Sequence, residues 1–304
     1  MKITKKRSML FAAVILVSAV TTITVFAYPS GIGKEKGYTA EQATDPGINV
    51  GRSLNFSNNW AGYVATGGTF TSVSGSWNVP QVSARGTSAD ATWVGIGGTG
   101  SNHLIQTGTQ AVANSNGQVS YQAWYEMLPA NSQKIPLTIN PGDSITASIV
   151  QQSANQWTIS LSDSTTGRNY QTTVTYAASL SSAEWIEEMP VRGRTFIPLD
   201  NFGSVQFSAL STVKDGTALT PAQANAQSIV MVNSLDQALA QTSALGSDGA
   251  SFTVTRTSST STQIVSPSVR TGWRIVVTGG HGSRPFYRQS HGRGNGRAGQ
   301  IFED

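Results

Sequence analysis

The chain has 304 residues, enough for one large all-β domain or two small ones. Charged residues make up only 12 % of it and apolar residues 38 %, recurring in short runs, which excludes a disordered chain. The sequence pI near 9.4 suggests a nucleic-acid partner until position is considered: Lys2, Lys5, Lys6 and Arg7 stand at the start, and Arg284, Arg288, Arg293 and Arg297 at the end. From Ser53 to Gly280 there are nine basic and eleven acidic residues, so the body is slightly acidic and no nucleic-acid partner is expected.

In chain order, the basic start is followed by an apolar stretch from Met9 to Ala27 that ends Val25-Phe26-Ala27. This is the pattern of a secretory signal peptide over residues 1–27, cleaved after Ala27, which implies a secreted, extracellular protein with no stable membrane association after cleavage. An uncleaved anchor is the alternative, weakened by Thr21, Thr22 and Thr24. Residues 28–52 lack apolar periodicity and carry Gly31, Gly33, Pro46 and Gly47, as a propeptide or flexible lead-in would.

The region 53–260 reads as one domain of short strands, among them Leu104 to Thr107, Val119 to Glu126, Ser144 to Val150, Trp157 to Ser162 and Val205 to Leu210. Asn116-Gly117 marks a hairpin, and Asn140-Pro141-Gly142-Asp143 marks another turn. Strands at this spacing with Gly- and Ser-rich turns predict an all-β, antiparallel sandwich or barrel. Only Pro221 to Ala226 and Leu235 to Ala240 carry a weak helical period. Residues 261–280 hold one possible further strand at Trp273 to Val277, and 281–304 form a Gly- and Arg-rich segment expected to be a flexible tail.

The counts then eliminate chemistries. There is no cysteine, which removes disulfides, cysteine peptidases and thiolate metal sites, and suits a bacterial exported enzyme held by its core. Of three histidines, only His103 lies in the body, too few for a zinc hydrolase, so neither metal nor cofactor is expected. No Gly-x-Ser-x-Gly elbow accompanies it, Gly86 to Ala89 reads as a loop, and no pair of Asp-Thr/Ser-Gly loops is present. Carboxylates remain. Glu126 ends Trp124-Tyr125-Glu126, and Glu184, Glu187 and Glu188 cluster around Trp185; on a strand, Glu184, Ile186 and Glu188 share one face and Glu187 points away.

Eight segments follow one another in order: Ser57 to Tyr63, Trp77 to Pro80, Trp93 to Gly98, Leu104 to Gly108, Tyr121 to Glu126, Gly142 to Ile145, Ala183 to Glu188 and Phe202 to Val205. Together they resemble the glutamic peptidases (eqolisins, peptidase family G1). The resemblance runs from about Ser57 to Thr255. It implies an antiparallel β-sandwich of two curved sheets, lectin-like (jelly-roll-like) in outline, and a secreted acid endopeptidase acting on polypeptide substrates as a monomer. It also implies a catalytic dyad of Gln106 and Glu188, with Trp60, Trp93 and Glu126 lining the substrate cleft and Trp124 adding apolar surface to it; Trp77 and Trp157 are expected in the core. Fungal members often carry an aspartate where this chain has Gly97, and an acid where it has Gln122. Glu188 would be the general base and then acid, hydrogen-bond donors around it favouring its charged form, and Gln106 would stabilise the oxyanion. A secreted carbohydrate-active sandwich, a glycoside hydrolase or sugar-binding module, is the competing class. Glu184 and Glu188 would lie roughly 13 Å apart by strand rise, too far for a retaining pair, whereas Glu126 with Glu188 stays open.

Overall fold

The computed structural model describes residues 55–192, 195–257, 273–276 and 286–289. The apolar leader, the 28–52 lead-in and most of the C-terminal tail lie outside the described residues.

The described chain is built from strands and turns. In order these are β1 (Asn55–Ser57), β2 (Trp60–Thr66), β3 (Phe70–Asn78), β4 (Ser88–Ile96), β5 (Ile105–Ala113), β6 (Val119–Met127) and β7 (Gln133–Ile135). Then follow β8 (Ser144–Ser153), β9 (Gln156–Asp163), β10 (Arg168–Thr175), β11 (Ser182–Glu188), β12 (Val191–Arg192), β13 (Thr195–Phe196) and β14 (Ser204–Lys214). The last are β15 (Thr217–Leu219), β16 (Gln227–Val232), β17 (Ala238–Thr242), β18 (Phe252–Arg256), β19 (Trp273–Val276) and β20 (Phe286–Gln289). Both weak helix expectations fail: 221–225 is a run of turns, and Leu235 to Ala240 runs from a turn into β17. Short polar segments with Asn225 and Asp236 at positive φ favour turns over helix. Gly86 to Ala89 is likewise not all loop, because Ser88 and Ala89 begin β4.

Hydrogen-bonded neighbours run β10–β9–β8–β3–β14–β18–β17–β16–β2–β11–β4–β5–β6–β7, all antiparallel. The first part of this ladder folds over the last, giving the antiparallel sandwich expected from the strand pattern. β1 lies parallel to β16 and β19, and β19 pairs with β20. Asn116-Gly117 sits in the β5–β6 connection, where Gly117 takes φ 76° and Asn114 Oδ1 accepts the N–H groups of Asn116 and Gln118.

Alternation decides which residues enter the space between the layers. β9 buries every second residue, Trp157, Ile159 and Leu161, and β8 does so with Ile145, Ala147 and Ile149. Trp77, Trp157, Trp185, Phe70, Phe207 and Ile105 join them in one continuous core. Two indoles also bond across it: Trp185 Nε1 donates to Ser74 O at 2.8 Å, and Trp77 Nε1 to Thr109 Oγ1 at 2.9 Å. Trp77 and Trp157 are therefore core residues, as expected.

β4 and β11 differ from the outer strands because every residue in them is buried. One face packs on the main core. The other carries a separate apolar cluster of Trp60, Val64, Ala91, Trp93, Leu104, Trp124, Leu128, Ile186 and Ile229. Close strand approach there depends on Gly62, whose φ is +145° and whose added Cβ would lie 2.0 Å from Trp185 O. Gly62→Ala is expected to lower stability by at least about 2 kcal/mol, read as a reduced urea midpoint; an unchanged midpoint would contradict this account of β2–β11 packing.

Candidate active site

Register across six strands lays out the face opposite the core. One row reads Gln227, Val64, Glu184, Gly95, Gln106, Glu126. The next reads Ile229, Gly62, Ile186, Trp93, Gly108, Trp124. The third reads Trp60, Glu188, Ala91, Gln110, Gln122. All six residues singled out in the sequence for catalysis or cleft lining, Gln106, Glu188, Trp60, Trp93, Trp124 and Glu126, lie on this face. Gln106 and Glu188 stand two strands and two rows apart, roughly 16 Å between backbones by strand spacing and rise.

Small residues keep the ground between them low. Gly95 and Ala91 flank Trp93 on β4, and a Cβ on Gly95 would lie 2.8 Å from the Trp93 ring. A Cβ on Gly108 would lie 2.1 Å from Thr92 O, so side chains are excluded at that crossing too. Trp93 therefore lies across the middle row, its ring edge-on to Trp60 at 5.0 Å between centroids.

Glu188 is held from two sides. Trp93 Nε1 donates to Oε2 at 2.8 Å, and Asn59 Nδ2 donates to Oε1 at 3.0 Å. Trp60 Nε1 makes no hydrogen bond of ordinary geometry, yet its N–H is near enough to favour the charged carboxylate. Asn59 is placed by a tight turn in which Ser57 Oγ accepts the N–H groups of Asn59 and Trp60. Sequence reasoning missed Asn59 as a partner; its position beside Trp60 in the Ser57 to Tyr63 segment was the available signal.

Gln106 faces a different partner: its Nε2 donates to Glu126 Oε2 at 2.7 Å, while Oε1 has no hydrogen-bond partner. Glu126 thereby turns the amide rather than meeting Glu188 directly. Glu184, in the same row, accepts the N–H of Gly98 at 3.0 Å and so ties down the loop after β4. Glu187, on the opposite face, points into the interior and accepts from Thr92 Oγ1 at 2.7 Å.

The electrostatics correct one expectation. Donors around Glu188 do favour its charged form, but burial outweighs them and, with the nearby Glu126 charge, raises its pKa to about 8. Burial likewise raises Glu126 to about 7, against the Gln106 hydrogen bond, and Glu184 to about 8. Among the described residues no group of three or more His, Cys, Asp or Glu is arranged to hold a metal ion. The face thus offers a buried carboxyl with indole and amide donors, a neutral amide across from it, and aromatic walls.

Residues 58–256 match the Peptidase A4 family. Scytalidopepsin B of Scytalidium lignicola is 30 % identical over 241 residues, which span 73 % of this chain and 91 % of that protein. Aspergillopepsin-2 of Aspergillus niger is 30 % identical over 202 residues, 57 % of this chain and 71 % of that one. Among solved structures, scytalido-glutamic peptidase with a transition state analog inhibitor aligns at TM-score 0.59 and 27 % identity, over 66 % of this chain and 98 % of that chain. SCP-B, an eqolisin in complex with the tripeptide Ala-Ile-His, aligns at TM-score 0.56 and 26 % identity over the same shares. A family match over this span, with the sandwich and the occupied face described above, decides between peptidase and carbohydrate chemistry: the chain belongs to the peptidase A4 family, and it is a glutamic peptidase.

Proposed function

We propose that the chain is a secreted acid endopeptidase in which Glu188 and Gln106 carry the reaction on polypeptide substrates. The observation that carries the assignment is the separate anchoring of the two side chains on one face, Glu188 by Trp93 and Asn59, and Gln106 by Glu126. An extended peptide laid across the rows meets Trp60, Trp93 and Trp124 as apolar walls, and Glu188 and Gln106 flank the scissile bond.

Glu188 takes a proton from a water molecule, which attacks the carbonyl carbon, and returns it to the leaving amine as the C–N bond breaks. Such proton transfer contributes roughly 10²–10⁴-fold. The Gln106 amide has two N–H donors; with one fixed on Glu126, the other is free to meet the developing oxyanion. An amide suits this position because it remains neutral at every working pH. Glu126 is a positioning residue in this scheme, since it touches Gln106 rather than the reacting atoms.

A base with a pKa near 8 would be idle in acid, and hydrolysis itself supplies the remedy. The reaction brings water to Glu188, which relieves burial, the largest cause of the upward shift. Of the remaining influences, the Glu126 charge acts upward but fades as Glu126 is protonated in acid, while Trp93, Trp60 and Asn59 act downward. The working pKa is therefore set by the donors, and the acid limb of the pH–rate profile reports it. Trp93→Phe removes one donor to the carboxylate, so that limb is expected to move to higher pH. An acid limb unmoved in this variant would show that Trp93 does not tune the base.

Export follows from the leader pattern of residues 1–27, and a monomer suffices because one chain supplies both groups. Casein cleavage between roughly pH 2 and 7 tests the dyad. Glu188→Gln is expected to abolish turnover with the far-UV spectrum unchanged. Gln106→Ala should lower kcat roughly 10²–10³-fold, the loss of one oxyanion donor. Near wild-type turnover in either folded variant would remove that residue from the dyad.

A further inference from the structure

The reverse face of the catalytic strand holds a second set of acids that the proposed reaction does not use. Asp90 on β4 and Glu187 on β11 point into the interior, and Asp200 reaches them from the segment after β13. Backbone contacts fix that approach. Ala89 N–H donates to Pro198 O at 2.9 Å, Asp200 N–H to Ala89 O at 3.4 Å, and Ala89 bridges Leu199. The same segment is tied to the end of the catalytic strand, since Ile197 N–H donates to Pro190 O at 2.8 Å, two residues past Glu188.

Hydrogen bonding leaves these acids poorly served as anions. Asp90 Oδ1 accepts the Ala111 N–H at 3.2 Å, and Glu187 Oε2 accepts from Thr92. Glu187 Oε1 and both Asp200 carboxyl oxygens are buried without a hydrogen-bond partner. Asp200 is 4 % exposed, Asp90 1 % and Glu187 0 %. The titratable or charged groups facing the trio from the surrounding elements are Tyr121 on β6 and Arg256 on β18. Tyr121 is occupied as acceptor from the Val82 N–H. Arg256 gives its N–H groups to the backbone oxygens of Asp200, Leu239 and Thr257. Three ionised carboxylates would thus face one cation in a dry interior, a strongly unfavourable arrangement. As neutral acids they are satisfied better, because a protonated Glu187 can give its O–H to Asp90.

We propose that Asp90, Glu187 and Asp200 form a proton-dependent clasp, which holds the 197–201 segment on β4 in acid and releases it, with loss of the native fold, when the three carboxyls ionise near neutrality. Burial raises Asp90 to about 7 and Asp200 to about 8, and burial with the Asp90 charge holds Glu187 well above the usual range. In the unfolded chain these groups titrate near pH 4. The native state therefore binds more protons between about pH 4 and 8, and stability is full below that window and lost as pH rises through it. Glu126, Glu184 and Glu188 act in the same direction from the cleft face, so a substitution within the clasp is needed to isolate it.

The test follows folding of the full chain by tryptophan fluorescence and far-UV circular dichroism across pH 3–9, a readout independent of whether Glu188 and Gln106 catalyse. Asp200→Asn is expected to move the pH midpoint of unfolding upward by roughly one unit, and to lengthen survival of acid-assayed activity after incubation at pH 7 by roughly tenfold. Glu187→Gln, which keeps an acceptor for Thr92, should act in the same direction and decides the matter if Asp200→Asn does not fold. Should neither variant fold, Asp90→Asn, which keeps an acceptor for the Ala111 N–H, decides by the same pH midpoint. Wild-type pH midpoints in the folded variants, or a flat wild-type profile over that window, would overturn the clasp.

Discussion

The double burial of β4 and β11 is the constraint on which the rest depends. A strand buried on one face alternates carboxylates outward to water. Here both faces are covered, one by the main core and the other by the Trp60–Trp93–Trp124 cluster. Every acid on these strands therefore enters a poorly hydrated setting, and Glu184, Glu187, Glu188 and Asp90 all take raised pKa values with burial as the first cause. Such carboxyls are costly as bare anions, and each stands where donors or a shared proton offset the cost.

Period-two geometry then divides the chemistry between two faces. Glu188 and Glu187 are neighbours in sequence, yet one meets Trp93 and Asn59 and the other meets Thr92 and Asp90. A one-residue slip of β11 would exchange them. Register is held against that slip by pairing with β2 on one side and β4 on the other, and by Gly62, where no side chain fits.

Much of this was legible in the residues. The alternation in Ala183 to Glu188 placed Glu184 and Glu188 together and Glu187 away, and the turn chemistry around Asn116-Gly117 marked the β5–β6 hairpin. The site as a constellation was legible only through the family's ordered segments, since Gln106 on its own is an ordinary strand residue. What escaped was long-range. Nothing local to Asp200 or Asp90 tells that they meet across about a hundred residues of chain, and the direction of the Glu188 shift needed the burial of both faces of β11. Leu235 to Ala240 misled because a short apolar period is too weak to resist pairing with β16.

The neutral partner follows from the same dryness. Two carboxylates sharing one reacting centre must share a proton, and each then depends on the other's titration. Under the proposed roles, an amide at position 106 avoids that dependence at the oxyanion, while the Glu126 carboxyl is set one step back, where it accepts from Gln106 Nε2 and orients the amide. With Nε2 donating to Glu126, the amide is held in one orientation and Oε1 has no protein donor. In the proposed reaction the face thus separates two duties that a pair of acids would mix: proton transfer at Glu188, which must titrate, and oxyanion binding at Gln106, which must not.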